Sequence, residues 1–406
     1  MPFSDLLAGI DPDTKVPLYD GSLFFPTMDQ LFQILNLPGS VWGLYEELKP
    51  EGAPSGKTMQ KLADRRSSEG NKVRPSTFAK MDFLFSNQPD GLQVLNELIA
   101  KGACWPQHDQ WRYLIAGGLL SQSASRDYWA QQLEASWNLW CVDMRAVTCP
   151  VERWRTMAQS PLSKEIGCGL TQQRLVDYIE SEPSVEELTS SVELRGHMAA
   201  SLVTTLLRLA AWMAADWFEY HWENVVNLDD EDRIFMHFLL PRLNPESLEL
   251  SCPFETCINH MAKITSCESA ASSSHLGQLW ADFEFDRDID QGSDNSVDSK
   301  QRLIRQWLKG NKGRPDTKSV MALNRAVINK ATTDAGLDPD NQDAPLHLLN
   351  CGFIFSESCR YLIKDLRKLG LQPDAIEAIF ATYEQEYKKA RNAFGRPLPD
   401  SGIAST

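Results

Sequence analysis

Alternating β-branched runs are missing from this sequence, and without them there is little signal for a sheet. Only Phe353-Ile354-Phe355 has the look of a short strand. A long apolar run without charge is also missing. The most apolar segment, Met198 to Ala215, is about as long as a short membrane span, but Arg208 sits in its middle and Asp216 follows at once. A buried core helix is therefore expected, with no membrane partner. Met1-Pro2-Phe3-Ser4-Asp5 lacks a basic region and a continuous apolar stretch, so no signal peptide is expected. The nine cysteines (Cys104, Cys141, Cys149, Cys168, Cys252, Cys257, Cys267, Cys351 and Cys359) are odd in number and follow no framework spacing. Reduced thiols in a cytoplasmic chain are the expectation, with cytosol and nucleus both open.

Catalytic signatures are lacking as well. No Gly-x-Ser-x-Gly, His-Glu-x-x-His or Gly-x-Gly-x-x-Gly occurs. Gly52-Ala53-Pro54-Ser55-Gly56-Lys57-Thr58 resembles a phosphate-binding loop, but only three residues separate its glycines and Glu51 stands where the first glycine belongs. No apolar strand leads into it, and the phosphate cradle depends on that strand-loop-helix geometry. Neither an enzyme nor a cofactor is expected. Asp216, Glu219 and Glu223 fall on one helical face, which reads either as a metal- or proton-handling set or as the wet side of an amphipathic helix. The run Asp229-Asp230-Glu231-Asp232 suits the positive end of a helix that starts there. Cys252, Cys257, His260 and Cys267 lie within sixteen residues and carry zinc-ligand chemistry. Their spacing matches no common zinc pattern, which favours buried cysteines on a helix over a metal site.

What the chain does have is helical periodicity over 406 residues with ordinary globular composition, 42% hydrophobic and 23% charged. Trp129, Leu133, Trp137, Trp140 and Met144 recur at three and four residues, and Pro150 ends that helix. Ile376, Ile379, Phe380, Tyr383 and Tyr387 repeat the pattern behind Pro373-Asp374 and ahead of Gly395 and Pro397. The fold class expected is all-α and multi-helical. Ser266 to Ser274 is small and polar, and Asp282 to Asp298 carries seven acids, the pattern of a solvated linker. These breaks suggest an N-terminal helical region over 1–95, a Trp-rich helical middle over 96–295, a C-terminal helical region over 296–395 and a disordered tail over 396–406.

Net charge is −15, which excludes a chain whose whole surface binds nucleic acid. The distribution is uneven. Residues 57–80 hold seven basic side chains against two acidic, and residues 299–330 hold nine against one. Each basic region contains the same short segment. Gly70-Asn71-Lys72-Val73-Arg74-Pro75-Ser76-Thr77 and Gly310-Asn311-Lys312-Gly313-Arg314-Pro315-Asp316-Thr317 agree at six of eight positions, 240 residues apart. A basic helix precedes each copy and a Pro-started helix follows, over Phe78 to Phe85 and Val320 to Val327, with Ser76 or Asp316 placed to cap.

Leu303-Ile304-Arg305-Gln306-Trp307-Leu308-Lys309-Gly310, then Arg314-Pro315, then Val320 to Val327, resembles part of the lambda-repressor-like (Xre-type) helix-turn-helix family. There a helix ending in Trp-x-x-Gly is followed by a basic-Pro turn and an apolar helix. The N-terminal copy is looser: Val41 to Leu48 stands as first helix, Lys49 to Gly56 as turn and Thr58 to Arg66 as reader, with Leu62 in place of Trp and about five extra residues before Gly70. For the second copy, Leu276 to Phe283 is the candidate preceding helix, across the acidic stretch. The likeness covers roughly 30–45 residues per copy, a short motif. It implies that Lys57, Gln60, Lys61, Lys300, Gln301, Arg302 and Arg305 face base edges or lie close to them. It also implies that Lys72, Arg74, Lys312 and Arg314 hold phosphates. The expectation is a DNA-binding regulatory or accessory protein with two such units flanking the helical middle. The alternative is a helical scaffold whose basic segments dock on an acidic protein partner or on a second copy of the chain.

Overall fold

The computed structural model describes residues 123–395, apart from 138, 140–145, 167–168, 223–235, 266–271, 287–296, 311–314 and 337–342, together with Pro26, Gln30, Leu31, Ile34, Leu35 and Ser55. Among the described residues there are twelve α-helices and no strand, so the all-α expectation holds. Leu243 and Leu250 form one isolated antiparallel bridge. Phe353-Ile354-Phe355, the one candidate strand, lies inside a 26-residue helix with Phe353 and Phe355 both buried. Three apolar residues in a row fit a helix that is packed on several sides as well as they fit a strand.

The chain divides into two compact units. One combines Met1–Phe235 with Leu362–Thr406, and the other is Met236–Tyr361. The boundary expected at 295 falls inside the second unit, because helices on either side of the acidic stretch pack against each other.

In the first unit the described helices are α1 (Ser123–Trp137), α2 (Pro150–Gln159), α3 (Pro161–Ile166), α4 (Gly169–Glu180), α5 (Val185–Ser190), α6 (Val192–Trp222) and, at the far end of the chain, α12 (Pro373–Ala393). Trp129 and Leu133 are buried on α1, and Pro150 opens α2; residues 138 and 140–145 between the two helices lie outside the described residues. A proline suits this first helical position, where its missing N–H costs no hydrogen bond. The centre of the unit is α6, every residue of which is buried from Leu194 to Asp216. By length and composition Val192–Asp216 could cross a membrane, yet its most apolar window is entirely buried within the protein. Burial on every side makes α6 the core helix of this unit.

Alongside it, α12 runs parallel: Gly196 lies against Leu371, Arg208 pairs with Glu386, and the Trp212 and Phe394 rings meet edge to face at 5.9 Å. The five apolar residues expected to line α12, Ile376, Ile379, Phe380, Tyr383 and Tyr387, are all buried. Inside this contact lies an ion pair, Arg208 Nη2 to Glu386 Oε1 at 3.4 Å, with side chains 4% and 5% exposed. Trp212 Nε1 donates to Glu386 Oε2 at 3.0 Å, Lys389 Nζ reaches Oε1 at 2.7 Å, and Tyr128 of α1 stacks on Trp212 at 4.0 Å. Burial pushes the Glu386 carboxyl up, but Arg208, Lys389 and the Trp212 N–H together outweigh it and hold the group below its ordinary value. The arginine in the middle of the apolar segment is thus the one that fastens α6 to α12.

Two outcomes follow for this unit. Glu386→Ala removes the carboxylate from a buried ion pair and should lower unfolding free energy by about 3–5 kcal/mol, whereas Arg208→Met with Glu386→Leu should recover most of it. Denaturant titration of the single and the double variant decides, and equal losses in the two would contradict the pairing. His197 is completely buried on α6, and desolvation lowers its pKa to about 4 from 6.5. Folding therefore favours the neutral ring. Its contribution is complete above pH 6.5 and is lost as pH falls toward 4, on the order of 3 kcal/mol in all. His197→Gln should flatten that part of the stability–pH profile; an unchanged slope would assign it to other groups.

Candidate nucleic-acid interface

The second unit begins with a 3-10 turn (His237–Leu239), followed by α7 (Pro253–Ile264), α8 (Ser272–Asp286), α9 (Val297–Lys309), α10 (Thr317–Asp334) and most of α11 (Asp343–Lys368). On α7, Phe254, Cys257, Ile258, Met261 and Ala262 are buried at helical spacing, with Glu255 in the first turn and Lys263 in the last to complement the helix dipole. On α8 the buried side is Leu276, Trp280 and Phe283, and on α10 it includes Leu323, Ala326 and Val327. Phe353 of α11 meets Phe254 edge to face at 5.1 Å and Trp307 of α9 at 6.0 Å.

Helix α9 is the element that the sequence marks as the reader. Ile304 and Trp307 are its buried residues, and the Trp307 ring stacks with Trp280 of α8 at 5.9 Å. The Trp307 carbonyl accepts from the Gly310 N–H at 3.1 Å and from Arg360 Nη1 at 2.5 Å. Gly310 ends the helix in the left-handed region, φ 64°, where a glycine carries no Cβ penalty. Downstream of the turn, Asp316 caps α10 as expected, accepting from the Ser319 N–H at 2.9 Å. Partial burial pushes the Asp316 carboxyl up, and hydrogen bonds from Ser319 and neighbouring backbone N–H groups outweigh this and leave it below its usual value.

The expected contact residues on α9 divide into two groups. Lys300 and Gln301 turn toward α8. Lys300 Nζ pairs with Glu284 Oε2 at 2.7 Å and lies 4.3 Å from the Trp280 ring centre, and both charged side chains are only 12% exposed. Glu284 also accepts from Trp280 Nε1 at 2.6 Å. Gln301 donates to the Ser274 carbonyl at 3.2 Å, and its backbone is so near α8 that a Cβ on Gly277 would meet its N at 2.8 Å and its Cα at 2.9 Å. Arg302 and Arg305 are exposed. Arg305 Nη2 donates to Ser274 Oγ and to Gln301 Oε1, both at 3.2 Å, which fixes the guanidinium beside α8 without burying it. Lys57, Gln60, Lys61, Lys72, Arg74, Lys312 and Arg314 lie outside the described residues.

Lys309 was not among the expected contacts. It is exposed and follows Arg302 and Arg305 at i+7 and i+4, so the three share one face of α9, with Asp298 at the N-terminal end of that face. Helical spacing alone would have found it. No local signal marks Arg360, which is 53 residues from the carbonyl it holds.

The other candidates sort as follows. Asp216 is buried, so the carboxylate face it was expected to share is not a wet one at that position; the Glu219 side chain and Glu223 lie outside the described residues, as does Asp229-Asp230-Glu231-Asp232. Of the phosphate-loop look-alike only Ser55 is described. Cys257 is buried on α7, and desolvation pushes its thiol up to about 12, with a hydrogen bond to Ser356 pulling the other way. Cys252 is the N-cap of α7, and the exposed His260 ring lies 4.5 Å from Phe238. Cys267 lies outside the described residues, and among the described residues no three His, Cys, Asp or Glu groups come together to hold a metal.

Alanine at Gly277 would add helix propensity worth about 1 kcal/mol. Its Cβ would also strike the backbone of Gln301 rather than a movable side chain. The clash should dominate, with Gly277→Ala losing on the order of 1–3 kcal/mol and shifting the Trp280–Trp307 fluorescence. A stabilised variant would contradict this close approach. Comparison of the chain with protein families, with curated proteins and with solved structures finds no match.

Proposed function

We propose that this is a DNA-binding protein of a regulatory or accessory kind, contacting duplex DNA through its basic helix-and-turn segments. The observation that carries the reading is the surface of α9. Arg302, Arg305 and Lys309 lie on one exposed face of a helix whose opposite side is fixed by Ile304 and Trp307. In the sequence, Lys312 and Arg314 follow this helix directly. A row of cations on a rigid helix suits the regular negative charge of a duplex, and the likeness to the Xre-type motif over the same residues favours DNA as the polyanion. The duplicated segment at Gly70 to Thr77 adds a second contact in the same chain. Two contacts in one chain can occupy two places on one duplex, as a dimer does with one contact per subunit.

The test is binding of the full chain to random-sequence duplex across a salt series. With six phosphates neutralised, affinity should fall by roughly 10³ between about 50 and 200 mM salt. Charge reversal of Arg74 and Arg314 together should weaken binding strongly at every salt concentration. No binding at low salt would remove the reading. Unchanged affinity in the double variant would remove the repeated segment as the contact. A stoichiometric protein partner that survives nuclease treatment, found in place of DNA binding, would instead support the scaffold alternative.

A further inference from the structure

We infer that α9 meets the outside of the duplex, with Arg302, Arg305 and Lys309 on the sugar-phosphate backbone, and that its first turn does not enter a groove to read bases. The inference rests on the DNA-binding reading above and fixes how that contact is made.

A helix that reads sequence brings side chains of its first turns to base edges. In α9 two residues of those turns, Lys300 and Gln301, are committed to α8. Lys300 lies between Glu284 and the Trp280 ring, and the Gln301 amide donates to the Ser274 carbonyl. The contact is made by backbone as well as side chain, because Gly277 admits the Gln301 main chain where any Cβ would collide with it. To reach base edges, Lys300 would have to leave a charge-paired, largely dehydrated position and α9 would have to separate from α8. Asp298, exposed in the first turn, adds a negative charge at the end of the helix that would have to enter the groove.

The exposed face of the helix suits phosphate. Arg302, Arg305 and Lys309 succeed one another along two turns. Arg305 is already oriented, since Ser274 Oγ and Gln301 Oε1 both hold Nη2, and Nε and Nη1 take no part in those bonds. The carbonyls at a helix C-terminus normally disfavour an anion. Here the Trp307 carbonyl is covered by Arg360 and by the Gly310 N–H, and Lys309 stands in the same turn. Contacts of this kind give affinity and register but carry no base identity.

The experiment uses the full chain with three unrelated duplexes of equal length, one A·T-rich, one G·C-rich and one mixed, together with the tightest duplex selected from a random pool. Affinities are measured by fluorescence anisotropy over a salt series. The expected result is agreement within about threefold among all four duplexes, since each base pair read directly would instead separate them roughly tenfold or more. Arg302→Glu with Arg305→Glu should lower the slope of log affinity against log salt by about 1.8, the value for two phosphate contacts. Lys300→Met combined with Glu284→Leu, which removes the lysine charge without stranding its partner, should leave both affinity and slope unchanged. A selected duplex bound a thousandfold tighter, with affinity lost in that double variant, would overturn the inference while leaving DNA binding in place. An unchanged slope in the double arginine variant would overturn it as well. Failure of every duplex to bind at low salt would overturn the DNA-binding reading itself, an outcome distinct from both.

Discussion

The seating of Trp307 decides which side of α9 is available. Its ring lies among Trp280 and Phe353, and its carbonyl is held by Arg360 and Gly310. One residue thereby fixes both the rotation of the helix and its end point. With Ile304 and Trp307 inward, helical periodicity leaves Arg302, Arg305 and Lys309 outward. Aromatic rings of this size bury a large apolar area, and such burial is the main source of stability in a small helical assembly. A helix held this way has little freedom to roll and expose another face.

Much of this was legible from residue patterns. The missing strand signal, the apolar spacing of Ile376 to Tyr387, the core reading of Met198 to Ala215 and the cap at Asp316 all rest on local periodicity or local capping chemistry, and all appear in the fold. What escaped depends on residues far apart in the chain. Nothing near Arg208 names Glu386, 178 residues away, as its partner. Nothing near Lys300 says that it turns toward Glu284 rather than solvent, since a lysine in a basic run looks the same in either case. The domain boundary at 295 followed from composition, and an acidic stretch has the same composition whether or not the helices beside it pack together.

The same contacts account for how charge is arranged on an acidic protein. Two basic regions stand out against a net charge of −15, and part of that positive charge is used internally, Lys300 on Glu284 and Arg305 beside Ser274. The internal pair steadies α9 on α8, and Arg302, Arg305 and Lys309 remain on its exposed surface. Rigid placement of this kind lowers the ordering cost of an interface. It also accounts for the difference between the family likeness and the proposed contact: similar residues can form the helix and turn, while a close glycine contact sets which face is presented.

Comparing modified duplexes tests the central claim most directly. One carries neutral methylphosphonate linkages, and the other carries 7-deazaguanine, which removes the N7 acceptor from the major groove and leaves the backbone intact. The account predicts that the full chain loses affinity for the first duplex and binds the second like unmodified DNA. Loss on the 7-deazaguanine duplex with tolerance of methylphosphonates would contradict it, and would place α9 in the groove.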